Sequence, residues 1–394
     1  MPVRDRVSAM LITTSSALAE FCHALRGVPY IAVDTEFMRE KSYYAHLCLV
    51  QVAYGEHVAA IDPLVEGLDL GPLRELLCDP TIVKVFHSAV QDLEIFLVKI
   101  GQIPAPLFDT QIAAAVCGLG DQPGYAKVVA ELLDVQIDKS SQVTDWSLRP
   151  LSERQMDYAL SDVTHLCDVY ELLLDRLASS DRTSWVGDDM DALLDPTRYR
   201  VEPIEAWRRI KLRRPKPKTL AVLRQLAAWR ESVAMERDIP RNWIARDEVL
   251  VGVAQGLPRT VNDLAKVRGI KPQLARGRDG EALLRAVQEG LDSPRDSWPE
   301  VGPTKPRLSG HESLVALLQA LLHQRCQAFG VSMPVVAKRA DLDRIATEDN
   351  PDVPALCGWR REVFGADALE LRAGRLALTG RQGDVVDVRI PDQT

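Results

Sequence analysis

The chain has 394 residues, of which 46% are hydrophobic and 26% charged, and it carries 48 basic against 56 acidic side chains. This composition is typical of a globular protein and excludes a disordered or fibrous one, and the length favours two or three domains. No apolar run reaches the roughly 18 residues of a membrane-spanning helix. The net charge of −8 by itself argues against a nucleic-acid-binding protein.

The seven cysteines are scattered along the chain, and none are spaced Cys-x-x-Cys. This pattern fits neither a disulfide framework nor a zinc site, and it favours a reducing compartment. The apolar run Ala9–Ile12 is followed by the hydroxyl residues Thr13–Ser16 and is too short for a secretory signal. We therefore predict a cytoplasmic protein that contacts no membrane and binds no zinc.

Strand and helix patterns alternate over the first part of the chain. Predicted strands end at residue 12 and cover 30–33, 47–54, 57–61 and 82–86, and predicted helices cover 16–25, 111–117 and 152–177. A further helical pattern follows the strand at 82–86 and runs through Leu93 and Leu97. Gly55 and Glu56 separate two strands, which indicates a hairpin. Together these elements predict an α/β domain with a mixed sheet.

Two stretches rich in turn-forming residues, 181–206 and 293–307, are predicted to be linkers. They divide the chain into an α/β domain at 1–180 and two small segments, 207–292 and 308–394, which show helical periodicity and little strand signal. The charge is also divided: residues 1–200 hold 16 basic and 30 acidic side chains, whereas residues 201–300 hold 20 and 14. The basic middle segment removes the objection to nucleic acid that the total charge raises.

A pair of carboxylates follows the apolar strand at 30–33. Asp34 and Glu36 are two residues apart, so on an extended strand their side chains leave the same face roughly 6.6 Å apart. At a buried strand end, such a pair repels itself unless a cation joins it, and hard oxygen ligands suit Mg²⁺ or Mn²⁺. The alternative is an exposed strand edge where the two acids have no function.

Two further polar motifs occur later in the same domain. Asp92 lies at the start of the helix after the strand at 82–86, where a carboxylate also complements the helix dipole. His87, just before it, is explained more readily as a hydrogen-bonded structural residue than as a metal ligand. Tyr158 and Asp162 are four residues apart and share one helix face, a spacing also typical of an exposed polar pair. Asp109 precedes a helix and is predicted to cap it.

In combination, these motifs resemble the DEDD exonuclease superfamily in its tyrosine-containing branch. The surrounding segments Val33–Phe37, Ile61–Leu64, Phe108–Gln111 and Asp145–Leu151 are similar to the ribonuclease D family, and Trp229–Glu231 with Asp238–Trp243 resemble its helical HRDC domain. The resemblance covers about residues 11–291 and implies a ribonuclease H-like mixed sheet with flanking helices, followed by an HRDC-like domain. From residue 308 it thins, and we expect a second, diverged HRDC-like domain there.

The resemblance also implies a reaction and a set of catalytic residues. The metal ligands of the family fall on Asp34, Glu36, Asp92 and Asp162, and its tyrosine falls on Tyr158. Four carboxylates can hold two divalent cations, Mg²⁺ or Mn²⁺, and phosphoryl transfer needs mainly positioning and charge neutralisation. The family removes nucleotides one at a time from RNA 3′ ends, notably from tRNA precursors, and releases 5′-monophosphates. We expect the same of this chain, as a monomer.

Weaker candidates for substrate contact lie beside these motifs and in the basic segment. They are Thr35, Phe37, Met38 and His87, together with Arg213, Arg214, Lys216 and Lys218. The two apolar residues suit either stacking on terminal bases or core packing, and the basic residues suit either phosphate contact or a solvated linker. Two rival functions stay open: a DNA 3′–5′ exonuclease, and an RNA-binding module without activity.

Overall fold

The structure is a computed structural model that describes residues 10–138, 144–213, 215–300 and 310–390. The chain forms two compact units. The first takes in the chain up to Glu36, Leu47–Asp195 and the segment from Lys305 onward, and the second takes in Phe37–His46 and Pro196–Thr304. The boundary at Glu36 therefore falls inside a strand, directly after the predicted carboxylate pair.

A six-stranded sheet in the order β1-β4-β3-β2-β5-β6 forms the centre of the first unit. Its strands are β1 (Met10–Ile12), β2 (Tyr30–Met38), β3 (His46–Tyr54), β4 (His57–Ile61), β5 (Val83–Phe86) and β6 (Leu107–Asp109). Strands β3 and β4 pair antiparallel, whereas β1 with β4, β2 with β5 and β5 with β6 pair parallel. The predicted mixed sheet and its hairpin are confirmed.

The described part of this region contains six helices, of which the first, fourth and sixth begin at a side-chain cap. They are α1 (Ser15–Ala24), α2 (Gly71–Leu77), α3 (Val90–Ile100), α4 (Thr110–Val116), α5 (Tyr125–Leu133) and α6 (Glu153–Ser179). The Asp109 side chain accepts a hydrogen bond from the Gln111 N–H at 2.8 Å, which confirms the predicted cap of α4. Ser152 and Gln155 form a capping box that starts α6. In the helix that follows, Tyr158 and Asp162 share one face.

The predicted linker at 181–206 is a folded segment. It contains α7 (Gly187–Asp191) and several 3₁₀ turns. Trp185, Val186, Met190 and Leu193 are buried. The glycine, aspartate and proline signals mark the turns between these short pieces, whereas the apolar side chains between the signals are buried in the protein. The predicted linker thus consists of folded, partly buried pieces, and the boundary between the two units falls inside it, between Asp195 and Pro196.

The second unit is helical, as the sequence predicts. Its helices are α8 (Pro217–Arg237), α9 (Arg241–Ile244), α10 (Asp247–Gly256), α11 (Val261–Ala265), α12 (Pro272–Arg276) and α13 (Arg278–Asp292). Leu223, Leu226 and Leu283 belong to its buried core. Helices α8 and α13 approach each other closely at Gly290, where a Cβ atom would lie 2.6 Å from the Val222 Cα.

The C-terminal segment belongs to the first unit. Its helices are α14 (Glu312–Phe329), α15 (Met333–Val336), α16 (Arg339–Thr347), α17 (Gly358–Arg360) and α18 (Ala366–Arg372). Trp359 stacks on Trp185 with ring centroids 4.4 Å apart, and Arg360 donates to both carboxylate oxygens of Asp189, at 3.2 and 2.8 Å. The separate compact domain predicted for 308–394 is not formed, because these contacts join the segment to the rest of the first unit. Its HRDC-like origin stays a prediction.

The described chain ends in a hairpin that the sequence analysis missed. Strands β7 (Leu376–Arg381) and β8 (Asp384–Arg389) pair antiparallel. Gln382 and Gly383 connect them with φ angles of 53° and 96°, and positive φ at both positions suits a tight hairpin turn. Glutamine is a weaker turn signal than asparagine or aspartate, so the prediction of an all-helical segment is wrong here. Within the described residues, no helix is long and apolar enough to cross a membrane.

Candidate active site

Carboxylates from β2 and α6, two elements far apart in the chain, lie close together. Asp34 and Glu36 are two residues apart on this strand, so their side chains leave the same face. Asp162 comes from α6, and each of the three residues offers a carboxylate oxygen that lies within 4.8 Å of the others. Three of the four carboxylates predicted to bind metal therefore form one cluster.

The fourth carboxylate is tied to the same strand through Thr35. Asp92 lies in the first turn of α3 and is buried, and its Oδ1 accepts a hydrogen bond from the Thr35 hydroxyl at 2.5 Å. Burial and the nearby Asp34 carboxylate raise the pKa of Asp92 well above its usual range. Thr35, predicted as a substrate contact, thus has a bonding partner inside the protein, and this partner is Asp92.

Burial is the main influence on the protonation of the acidic cluster. It raises the pKa of Asp34 to about 7. It also raises the pKa of Asp162 to about 8, and Asp34 adds to this effect. The pKa of Glu36 rises to about 9 because of burial and because three neighbouring carboxylates repel its charged form. Without a cation, the cluster therefore retains protons at neutral pH that isolated carboxyl groups would lose.

The chemistry of this donor set fits divalent cations. All four side chains offer hard carboxylate oxygens, which Mg²⁺ and Mn²⁺ prefer. The Oδ1 atom of Asp162 is buried and has no hydrogen-bond partner within the described part of the chain. A bound cation would give this oxygen a partner and would favour the charged form of every carboxylate around it.

Tyr158 lies one helical turn before Asp162. Burial and the Asp162 charge raise the pKa of its hydroxyl above the usual value, so this group is a neutral donor. The indole of the buried Trp146 lies 6.2 Å from the Tyr158 ring between centroids. The loop of Trp146 is anchored by Arg149, which donates to both carboxylate oxygens of Asp62 at 2.6 and 2.8 Å. The segments Ile61–Leu64 and Asp145–Leu151, which were noted in the sequence, therefore support the position of Tyr158.

Tyr125 is a neighbour of the site that the sequence analysis missed. From α5, its hydroxyl donates to the backbone carbonyl oxygen of Asp162. Its ring lies 5.2 Å from the His87 ring between centroids. The Nδ1 of His87 is 3.0 Å from the Thr110 hydroxyl, and burial lowers the pKa of His87, which favours the neutral imidazole. No single-sequence motif marks Tyr125, because its acceptor is a backbone atom far along the chain.

The remaining predicted substrate residues lie in the second unit. Phe37 and Met38 are half-buried at the end of β2. Arg213, Lys216 and Lys218 are exposed around the start of α8, whereas Arg214 lies outside the described residues. Basic side chains are unfavourable at a helix N-terminus. Helix stability therefore does not explain their position, and their contact with substrate stays a prediction.

The sheet and the acidic cluster define a class of protein, the 3′–5′ exonucleases. Residues 10–178 match the family described as 3′-5′ exonuclease, which spans the sheet, Asp34, Glu36, Asp92, Tyr158 and Asp162. Residues 219–287 match the HRDC domain, within the helices of the second unit. The predicted fold class, a nuclease domain with a mixed sheet followed by a helical HRDC region, is confirmed.

Comparison with single proteins is more specific. The ribonuclease D of Acidiphilium cryptum is 46% identical over 381 residues, which cover 96% of this chain and 97% of that protein. The ribonuclease D of Granulibacter bethesdensis is 46% identical over 94% of each chain. The crystal structure of Escherichia coli RNase D, described as an exoribonuclease involved in structured RNA processing, has a TM-score of 0.80 at 34% identity and covers 93% of this chain and 99% of that one. The chain belongs to the ribonuclease D family of exoribonucleases, which confirms the predicted enzyme class.

Proposed function

We propose that this exoribonuclease works with two divalent cations, Mg²⁺ or Mn²⁺, held by Asp34, Glu36, Asp92 and Asp162. The observation that carries the proposal is the cluster of Asp34, Glu36 and Asp162. Their carboxylate oxygens lie within 4.8 Å of one another, which is close enough to share a cation, and their pKa values are raised. Such a cluster costs stability unless cations bind to it. The same hard oxygens favour Mg²⁺ or Mn²⁺ over zinc.

Each protein group then has a distinct part in hydrolysis of the terminal phosphodiester. Bound divalent cations supply activation of water and charge neutralisation at the reacting phosphate. Tyr158 keeps its proton and orients the attacking water beside Asp162. Thr35 holds Asp92, and Tyr125 holds the backbone at Asp162. Since the reaction needs positioning and charge neutralisation, no covalent nucleophile is required, and the products are nucleoside 5′-monophosphates.

We propose RNA with a free 3′ end as the substrate, with tRNA precursors as the physiological form. The relative from Escherichia coli is described as acting in structured RNA processing, and tRNA precursors are structured RNAs that carry 3′ extensions. The exposed basic side chains at 213–218 would contact phosphates and hold RNA without reading its sequence. We further propose that the enzyme is a monomer of the cytoplasm, where its seven free cysteines stay reduced.

A time course on a tRNA precursor with a 3′ trailer tests this function. We expect a ladder that shortens by one nucleotide at a time with Mg²⁺, mononucleotide products, and no reaction with a chelator. The variant Asp34→Asn should bind the same RNA and leave it intact. Full activity of that variant would contradict the assignment of the site, and binding without hydrolysis by the native chain would identify an RNA-binding module.

A DNA exonuclease is the second candidate, because carboxylate-held cations contact phosphate and do not distinguish the sugar. Matched RNA and DNA oligonucleotides with the same sequence and free 3′ ends separate the two. We expect the kcat/KM for RNA to exceed that for DNA. The reverse order would assign the enzyme to DNA.

A further inference from the structure

The loop at residues 39–45 leaves the strand that carries Asp34 and Glu36 and belongs to the second unit, the one with the HRDC helices. Tyr43 in this loop is only 7% exposed and packs with Ala234 of α8 and Ile244 of α9. This small apolar cluster is distinct from the main core of the second unit. The chain that follows the catalytic carboxylates is therefore held by the helices rather than by the sheet.

Polar contacts hold the same loop on two sides. The Tyr43 hydroxyl donates to Glu231 Oε1 at 2.5 Å, and the backbone N–H groups of Tyr43 and Tyr44 both donate to Asp238 Oδ1 at 3.0 Å. The Arg241 guanidinium lies 5.9 Å from the centre of the Tyr43 ring and 3.8 Å from the Glu231 carboxylate. We call these four residues, Tyr43, Glu231, Asp238 and Arg241, the Tyr43 latch.

The latch contains groups that helix stability alone does not require. Glu231 is fully buried, and its Oε2 has no hydrogen-bond partner within the described residues. A buried carboxylate with an unpaired oxygen costs free energy, and an apolar side chain of similar size would pack there at lower cost. Asp238 is the C-cap of α8, so its φ of 46° ends that helix, but glycine would serve there equally well without supplying the carboxylate that accepts the loop N–H groups. The Glu231 and Asp238 carboxylates have in common that both accept hydrogen bonds from the loop.

We propose that the Tyr43 latch makes the helical domain a positioning element for the catalytic strand, so that it sets kcat as well as RNA binding. The proposal rests on the proposed function. Phe37 and Met38 lie between the carboxylate pair and the latch, and a shift of the loop moves the end of β2 by covalent connection. An error of about 1 Å at a catalytic group is enough to lower a rate 100-fold. Changes to the latch should therefore lower kcat even on RNAs that are too short to contact the helical surface.

A pair of variants at Asp238 tests the latch in the full-length enzyme. Asp238→Gly removes the acceptor and tolerates a positive φ, whereas Asp238→Asn keeps both an oxygen acceptor and tolerance of this conformation. We expect Asp238→Gly to lower kcat on a labelled tetranucleotide roughly 10-fold, within the range that misplacement of a catalytic group produces, with KM almost unchanged. Asp238→Asn should restore most of the rate.

Tyrosine variants give a second, independent test. Tyr43→Phe removes the hydroxyl that bonds to Glu231 and should lower kcat on the tetranucleotide. Tyr44→Phe is the matched control, since it keeps the backbone N–H that bonds to Asp238 and should leave kcat unchanged. If either Asp238→Gly or Tyr43→Phe raises KM for long RNA and leaves tetranucleotide hydrolysis intact, the loop only docks the helices and the proposal is wrong.

Amide hydrogen exchange measures the latch without using activity. In Asp238→Gly, the amides at 39–45 should exchange faster than in the native chain, and those of the core helix α13 should not change. If exchange at 39–45 is the same in Asp238→Gly as in the native chain, the latch proposal is wrong, and this result does not depend on the substrate of the enzyme. A native chain that protects the loop but fails to hydrolyse RNA would instead overturn the proposed function alone.

Discussion

At the scale of single residues, the acidic cluster lowers the stability of the metal-free protein because its carboxylates are placed to bind cations. Burial raises the pKa of Asp34, whereas the pKa of Glu36 is raised by burial and also by the neighbouring carboxylates, Asp34 among them. Replacing Asp34 with asparagine removes one of these repelling charges. We expect Asp34→Asn to be inactive and yet, in the absence of metal at pH 8, to have a higher Tm, by about 1 °C for each kcal/mol gained, since the entropy of unfolding grows with chain length at roughly 2.1 cal/mol/K per residue.

The pH dependence of that stability follows from the direction of the shifts. The pKa of Asp34 rises from 3.8 to about 7 on folding. Between these values the folded chain holds a proton that the unfolded chain has lost, so the stability of the metal-free protein falls as pH rises through this window. Melting curves with a chelator from pH 4 to 8 should show a steeper fall for the native chain than for Asp34→Asn. Equal slopes would mean that Asp34 is not perturbed.

Tyr158 is expected to act on the attacking water without contributing to cation affinity. Tyr158→Phe keeps the ring beside Trp146 and loses only the hydroxyl, which should lower kcat about 100-fold, the range for one positioned proton-transfer or orienting group. The rise in Tm on adding Mg²⁺ should match that of the native chain. A lost Mg²⁺ response would show that the hydroxyl supports the carboxylates instead.

The sequence predicts those features of the site that depend on residue type and spacing. It does not predict the contacts that join residues far apart in the chain. The Asp34–Glu36 spacing on a strand and the Tyr158–Asp162 spacing on a helix identify pairs that share a face. The Thr35–Asp92 bond and the Tyr125 bond to the Asp162 backbone depend on tertiary placement, and no local pattern encodes them. The same holds for the Tyr43 latch.

At the scale of elements, the loop before α6 depends on one arginine. Arg149 donates to Asp62 and also to the carbonyl oxygen of Cys48 at 2.7 Å, and the Asp62 side chain is only 4% exposed. Arg149→Met would leave a buried carboxylate without its cation, a change that costs about 3 kcal/mol or more. Urea unfolding should show this loss, and adding Asp62→Asn should recover part of it. No loss in the single variant would mean that solvent replaces the arginine.

The bounds of helices and strands are predicted well where capping residues and apolar periodicity agree. They are predicted poorly where glycine, proline and aspartate occur inside a folded segment. α6 begins at its Ser152 capping box, within one residue of the predicted start. Residues 181–206 carry glycine, proline and aspartate at turn positions, and the same stretch buries Trp185 against Trp359, 174 positions along the chain. Turn signals locate the bends of a chain but do not show whether the pieces between them are buried.

At the scale of the whole molecule, acidic and basic side chains are concentrated in different parts of the chain. The acidic excess lies in the unit that contains the carboxylate cluster, and the basic excess lies in the HRDC-containing segment. We expect neutralisation of Arg213, Arg214, Lys216 and Lys218 to glutamine to raise KM for long RNA and leave kcat close to native. Each lost phosphate contact to a single strand lowers the slope of log affinity against log salt by about 0.7, so the slope should fall by up to about 3.

Matched controls separate this effect from a general change in charge. Lys99→Gln and Arg74→Gln remove exposed charges from the acidic first unit and should leave both KM and the salt slope unchanged. Affinity should be measured from 50 to 200 mM salt, because a slope is the quantity that counts phosphate contacts. If the quadruple variant keeps the native slope, the basic segment only joins the units, and the RNA must bind to phosphate-contacting groups elsewhere on the molecule.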